Sequence, residues 1–172
     1  MPISTFDSLE RPDWDLWFIS LCYVISQKSI DKDTKHGAIF TSSDKTILSV
    51  GYNGPPRECN DSSIPLTRPE KYRFLLHAEE AAIANAAKHG INLQNSTLYI
   101  TGMPCEKCFR LLINVGVRKI IYGNISSACV DKDSLDAIKI MNSSNKIEMI
   151  QFKGNAQILL QHTIEYLQRK LS

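Results

Sequence analysis

The residues best suited to chemistry lie between positions 77 and 108. His77 and Glu79 stand two apart at one end, and Cys105 and Cys108 form a Cys-x-x-Cys spacing at the other. An imidazole and two thiolates can hold one zinc ion and leave a fourth position for water. Three protein ligands plus water separate catalytic zinc from closed structural zinc. The Cys-x-x-Cys turn lets both sulfurs face one ion, and a helix starting after Pro104 favours thiolates through its dipole. Two thiolates and a neutral His77 cancel the charge of the ion, so a water held there loses a proton more readily. Glu79 can take that proton and deliver it to a substrate atom. Two residues along a helix turn the side chain by about 200°, so His77 and Glu79 do not share a helix face. They converge only over the N-terminal end of a helix, with His77 at its start. Cys-x-x-Cys alone is also compatible with a redox pair or half of a structural zinc knot. The first leaves His77 and Glu79 idle, and the second wants a further ligand from elsewhere.

The elements that must position these residues follow from hydrophobic periodicity and turn chemistry. A first helix is predicted over 12–29, where Trp14, Phe18, Leu21, Cys22 and Ile25 keep helical spacing, with Asp13 or Asp15 as its cap. Both tryptophans, Trp14 and Trp17, are read as core. After a polar link, 37–41 and 46–52 read as strands joined by the turn at 42–45. Pro55-Pro56 follows Asn53-Gly54, so no strand starts there, and a loop of about twenty residues runs on towards Arg68, a length that marks function. Residues 72–76 lead into an alanine-rich helix over 78–89, stopped by Gly90. A strand over 96–101 delivers Pro104-Cys105; a helix over 106–115, a strand over 117–122, a helix over 130–141, a strand over 146–152 and a helix over 155–171 complete the chain. Ala156, Leu160, Ile164, Leu167 and Leu171 give that last helix its apolar stripe. Alternating strands and helices imply parallel pairing, and the short link at 42–45 implies an antiparallel hairpin. The expected architecture is α/β: a five-stranded mixed sheet between helices in three layers, with the site at the carboxyl ends of strands.

Length and composition narrow the setting. The chain has 172 residues, 43% hydrophobic and 22% charged, which suits one soluble domain over 1–172. No apolar run approaches the roughly 18 residues of a membrane helix. Met1 to Arg11 carries acidic and polar residues where a leader would be basic and then apolar. Five cysteines, two of them in the Cys-x-x-Cys pair, argue against a disulfide scaffold and for a cytoplasmic setting, with Cys22, Cys59 and Cys129 as free thiols. The net charge of +2, without a basic stripe, weighs against nucleic acid as a partner.

The combination His-x-Glu…Pro-Cys-x-x-Cys matches the zinc nucleobase deaminase pattern. The stretch from Gly37 to Tyr122 resembles the deoxycytidylate deaminase branch of the cytidine deaminase superfamily. The resemblance is carried by Gly51-Tyr52-Asn53-Gly54 before a proline, Cys59-Asn60-Asp61, Lys71-Tyr72, His77-Ala78-Glu79 and Pro104-Cys105-Glu106-Lys107-Cys108. Ser29, Asp31 and Gly37-Ala38 match upstream, whereas the last forty residues or so share only the layout. The resemblance implies a cytidine-deaminase-like fold and hydrolysis of dCMP to dUMP and ammonia, supplying dUMP for thymidylate synthesis. It implies one catalytic Zn²⁺ on His77, Cys105 and Cys108, with Glu79 as proton shuttle. Asn53 would bind the sugar hydroxyl, and Ala78, Lys28 and Ser29 would join the substrate site. Lys28 and Ser29 sit where the family has a basic-Ser pair for phosphate; Lys32, Arg57 and Arg68 are further phosphate candidates. The resemblance also implies a homohexamer activated by dCTP and inhibited by dTTP, with Mg²⁺ accompanying the triphosphates. Gly54, Arg57, Arg68, Lys71 and Lys88 are the effector candidates, in or near the loop from Asn53 to Lys71.

The chain also departs from the pattern. Ala81 stands where the family often has Asn after His-Ala-Glu-x. Ser126 lies where some members stack an aromatic on the base, leaving Tyr122 as the nearest aromatic. The loop from Pro55 to Leu76 has no histidine for a second zinc. His36, His89 and His162 have no motif partners. Three other readings share part of the pattern: a tRNA or other polynucleotide deaminase, a riboflavin-pathway deaminase, and a catalytically silent zinc module used for assembly.

Overall fold

The computed structural model describes residues 11–171. The reading of the N-terminus as lacking a leader falls, apart from Arg11, outside the described residues. Strand alternation divides the core into two layers. In β1 (Gly37–Thr41), Ala38 and Phe40 face one side and Ile39 the other; in β3 (Thr97–Ile100), Leu98 and Ile100 oppose Tyr99; in β4 (Lys119–Tyr122), Ile120 opposes Ile121. With β2 (Ile47–Tyr52) and β5 (Glu148–Gln151) at the edges, the sheet order is β2-β1-β3-β4-β5. β1 is antiparallel to β2 and β3, and β3, β4 and β5 run parallel. This is the five-stranded mixed sheet expected from the sequence.

Helices α1 (Trp14–Ser26) and α5 (Ala156–Leu171) cover the Ile39–Tyr99–Ile121 face. Helices α2 (Ala78–Lys88), α3 (Glu106–Asn114) and α4 (Lys132–Asn145) cover the other. Asp13 is the cap of α1, its carboxylate accepting from Leu16 N at 2.8 Å. The small residues of α2 let it lie close on β2: a Cβ at Gly51 would collide with the backbone of Ala78 and Ala82. Ser49 Oγ donates to Ala82 O at 2.7 Å and fixes the same seat. Helix α2 is thus held by backbone proximity, which only glycine at position 51 permits.

The 53–76 segment is less irregular than its sequence implied. It contains short 3-10 turns at Asp61–Ser63 and Glu70–Arg73. Its ends are joined by main-chain hydrogen bonds between Gly54 and Leu76, 3.1 Å in one direction and 2.8 Å in the other. The segment between them is a compact loop with touching ends.

Three expectations are corrected. Trp14 is not a core residue: it is 44% exposed and stacks on Phe18 at the open end of α1, with the Arg11 guanidinium 5.8 Å from its ring centre. Only Trp17 packs against the α1–α5 layer. The stripe of α5 leaves the core after its first turns, with Ile164, Leu167 and Leu171 exposed. Helix α4 begins later than expected because Asp131, not a residue before it, caps the amide of Ser134 at 2.8 Å.

Candidate active site

Two helix starts meet at one point. His77 is the N-cap of α2, held where Glu80 Oε2 accepts from the His77 amide at 2.7 Å. Cys105 is the N-cap of α3, which follows the carboxyl end of β3. His77 Nδ1 lies 3.6 Å from Cys105 Sγ and 3.3 Å from Cys108 Sγ. The three donor atoms all lie within 4.8 Å of one another. A tetrahedral ion with bonds of about 2.0 Å to nitrogen and about 2.3 Å to sulfur sets nitrogen and sulfur about 3.5 Å apart. The spacing and donor types therefore fit zinc.

Electrostatics agree with that fit. A hydrogen bond from Cys108, together with His77, lowers the Cys105 thiol to about 3, so it is a thiolate. The same sharing pushes the Cys108 thiol far up. The Cys105 hydrogen bond raises His77 to about 9. A Cys105 thiolate thus faces the protons held on Cys108 and His77, which a bound cation would displace. Glu79, the second residue of α2, is 4% exposed. Burial raises its carboxyl to about 7, against the pull of His77.

His77, Glu79 and Cys105 line a cleft of about 60 Å³. Of the residues singled out from the sequence, His77, Ala78, Glu79, Cys105, Asn53, Arg68 and Lys71 line it. Asn53 is largely committed: its Oδ1 accepts from His36 N at 2.7 Å, and its amide donates to Thr34 O at 2.9 Å and Asp31 Oδ2 at 3.3 Å. One acceptor lone pair of Oδ1 is left for a ligand. Lys71 is corrected as an effector ligand. It is 2% exposed, and its ammonium bonds both oxygens of Asp31 at 2.8 and 2.9 Å and Asp33 at 2.8 Å, so no donor remains. Burial alone would lower Lys71, but Asp31 and Asp33 outweigh it and its pKa is raised. Arg68 pairs with Asp33 through Nε at 3.0 Å and keeps donors in reserve.

The other candidates lie elsewhere. Ser29 is buried, accepts from the Asp31 amide at 3.2 Å, and is not in the cleft lining. Lys28 faces a second hollow, of about 570 Å³, on the other flank of α2. Arg57, Ala81, Asn85 and Lys88 line that hollow too, and Arg57 hydrogen-bonds Asn85. The effector candidates are thereby split: Arg57 and Lys88 lie outside the cleft, Arg68 and Lys71 inside it. Gly54 sits at the closed neck of the loop, and its partner Leu76 lines both hollows.

Several cleft residues were not recognised from the sequence. His36 enters at the start of β1, Met103 between β3 and α3, and Thr34 from the polar link. Tyr122 is no base-stacking residue, because it packs into the α2–α4 layer; the wall after β4 is Ser127, Ala128 and Cys129. Cys129 Sγ lies 4.0 Å from His77 Nε2. The one available signal was the position of His36 directly before Gly37-Ala38.

A family model described as the cytidine and deoxycytidylate deaminase zinc-binding region matches residues 12–124. A probable deoxycytidylate deaminase of Drosophila melanogaster is 32% identical over 146 residues, covering 78% of this chain and 70% of that protein. The deoxycytidylate deaminase of Homo sapiens is 29% identical over 135 residues, covering 75% of this chain and 74% of that protein. The solved dCMP deaminase of cyanophage S-TIM5, in complex with dCMP and dUMP, matches with a TM-score of 0.65 and 27% identity. That match covers 84% of this chain and 100% of the phage chain.

Proposed function

This chain belongs to the cytidine and deoxycytidylate deaminase family, and from that premise we propose that it hydrolyses dCMP to dUMP and ammonia. The observation that carries the reading is the meeting of His77, Cys105 and Cys108 beside the buried carboxylate of Glu79. The names of the relatives and the nucleotides bound by the phage enzyme support dCMP as substrate.

His77, Cys105 and Cys108 would hold zinc, which supplies a water acidic enough to react at neutral pH. Glu79 would accept a proton from the attacking water and pass it to N3 of the base as the water oxygen bonds to C4. It then carries the second proton to the amino nitrogen, the C4–N bond breaks, and ammonia leaves as the C4 carbonyl forms. A carboxyl raised by burial is well matched to a proton carrier that must both take and give. Amides in the first turn of a helix have no partner within it, so Ala78 can offer its N–H to the base. Asn53 offers its remaining lone pair to a sugar hydroxyl, and Arg68 its remaining donors to the 5′-phosphate.

Regulation would act through the second hollow. Lys28, Arg57 and Lys88 there suit a triphosphate, dCTP as activator or dTTP as inhibitor, with Mg²⁺ on the phosphates and a homohexamer as the responding assembly. The product dUMP would feed thymidylate synthesis in the cytoplasm. Ammonia release from dCMP, deoxycytidine, dCTP and single-stranded DNA tests the reading. The expected order puts dCMP first; turnover of single-stranded DNA with none of dCMP would overturn it.

A further inference from the structure

His36 is held by an unusual number of contacts for a residue outside the motifs. Its amide donates to Asn53 Oδ1 at 2.7 Å, and its carbonyl accepts from the Asn53 amide at 3.1 Å. Its ring Nδ1 lies 3.0 Å from Thr101 Oγ1. Gly102 leaves room for the ring: a Cβ there would stand 3.0 Å from His36 Cε1.

The tautomer follows from the hydroxyl. Thr101 is fully buried, and its Oγ1 already accepts from the Gly37 amide at 3.3 Å. A buried hydroxyl proton needs an acceptor, and Nδ1 is the one within reach among the described residues. The Thr101 hydroxyl therefore donates to Nδ1, and the ring proton of the neutral imidazole sits on Nε2. Nε2 has no hydrogen-bond partner among the described residues, and His36 lines the cleft with Glu79, Asn53 and Arg68.

We propose that His36 is a substrate-binding residue whose Nε2–H donates to an uncharged oxygen of the bound nucleotide, the pyrimidine carbonyl or a sugar hydroxyl. This rests on the cleft binding a pyrimidine nucleotide. Burial lowers the ring below the usual imidazole value, so a neutral donor faces the cleft at physiological pH. A neutral donor suits an oxygen without charge and leaves the phosphate to Arg68.

Two substitutions separate this role from a merely structural one. His36→Asn puts a carbonyl oxygen near Nδ1, keeps the acceptor for Thr101 and withdraws the donor from the cleft. His36→Gln reaches the Nε2 position with an N–H and gives up the Thr101 acceptor. For the zinc-loaded enzymes, H36N should raise KM for dCMP about 3- to 10-fold with kcat within about twofold, and H36Q should stay within about twofold of the parent. The opposite order, or two unchanged variants, would overturn the proposal. Repeating the comparison with 2′,3′-dideoxycytidine monophosphate locates the acceptor: the H36N effect vanishes for a 3′-hydroxyl and persists for the base carbonyl.

Calorimetric binding of dUMP reads the same contact without turnover. Parent protein that binds dUMP in the expected order of variants, yet leaves dCMP intact, would keep the contact and remove the proposed reaction. Parent protein that deaminates dCMP while both variants bind normally would keep the reaction and remove the contact. On the unsubstituted protein, ¹⁵N chemical shifts of the His36 ring give the tautomer directly. Protonation at Nδ1 instead of Nε2 would also overturn it.

Discussion

In the proposed reaction Glu79 is a proton carrier and not a ligand. Glu79→Gln keeps the shape and the zinc donors but cannot carry a proton. Zinc content should be unchanged while kcat falls by the roughly 10²–10⁴-fold typical of a lost acid–base group. Metal analysis beside steady-state kinetics checks both halves; near-normal turnover would remove Glu79 from the chemistry. Arg68 is assigned to phosphate recognition in the same proposal. Arg68→Ala should raise KM for dCMP by about tenfold or more, from a charge-assisted contact of roughly 1.5–3 kcal/mol, and barely alter deoxycytidine. Equal effects on both would move the phosphate elsewhere. At this scale the sequence was legible where chemistry is local: His77, Glu79, Cys105 and Cys108 are fixed by spacings of two and three residues. It was silent where a role depends on surroundings. Lys71 looked like an available cation, but Asp31, forty positions away, takes it up. His36 looked idle because its partner Thr101 comes from 65 positions further on.

Among the elements, a zinc held by His77, Cys105 and Cys108 would link the N-termini of α2 and α3, which otherwise meet through few residues. Removing the metal with a chelator should lower the melting temperature, and added zinc should restore it in proportion to its concentration over Kd. A chelated protein with unchanged melting and full activity would contradict the assignment. The 53–76 loop depends on a different link. Lys71→Met leaves Asp31, whose side chain is 6% exposed, without its cation, and should cost about 3–5 kcal/mol in urea unfolding. Because the folded pKa of Lys71 is raised, this contribution is complete below the ordinary lysine value of 10.5 and is lost as pH rises through the folded value. The gap between parent and K71M should therefore be steady from pH 7 to about 10 and narrow above that. The elements themselves were well marked in the sequence, strand by strand, through alternation such as Ala38-Ile39-Phe40. The loop was not, because its order comes from the distant acids that hold Lys71 and from the Gly54–Leu76 pair, which has no periodic signal.

For the whole molecule, the second hollow makes a prediction separate from catalysis. Arg57→Ala and Lys88→Ala should leave the basal rate on dCMP near the parent value and blunt any response to dCTP and dTTP. Initial-rate curves with and without each triphosphate decide this, and full responses in the double variant would place the effectors elsewhere. Leu76 gives the arrangement a further consequence. It lines both hollows and stands immediately before His77 in the chain, so it forms part of the wall between them. If a triphosphate and dCMP favour different settings of that wall, thermodynamic reciprocity binds them together. Whatever factor the effector applies to the affinity for dCMP, dCMP must apply to the affinity for the effector. A pool rich in substrate would then tune the enzyme's sensitivity to its own regulators, with no additional part required.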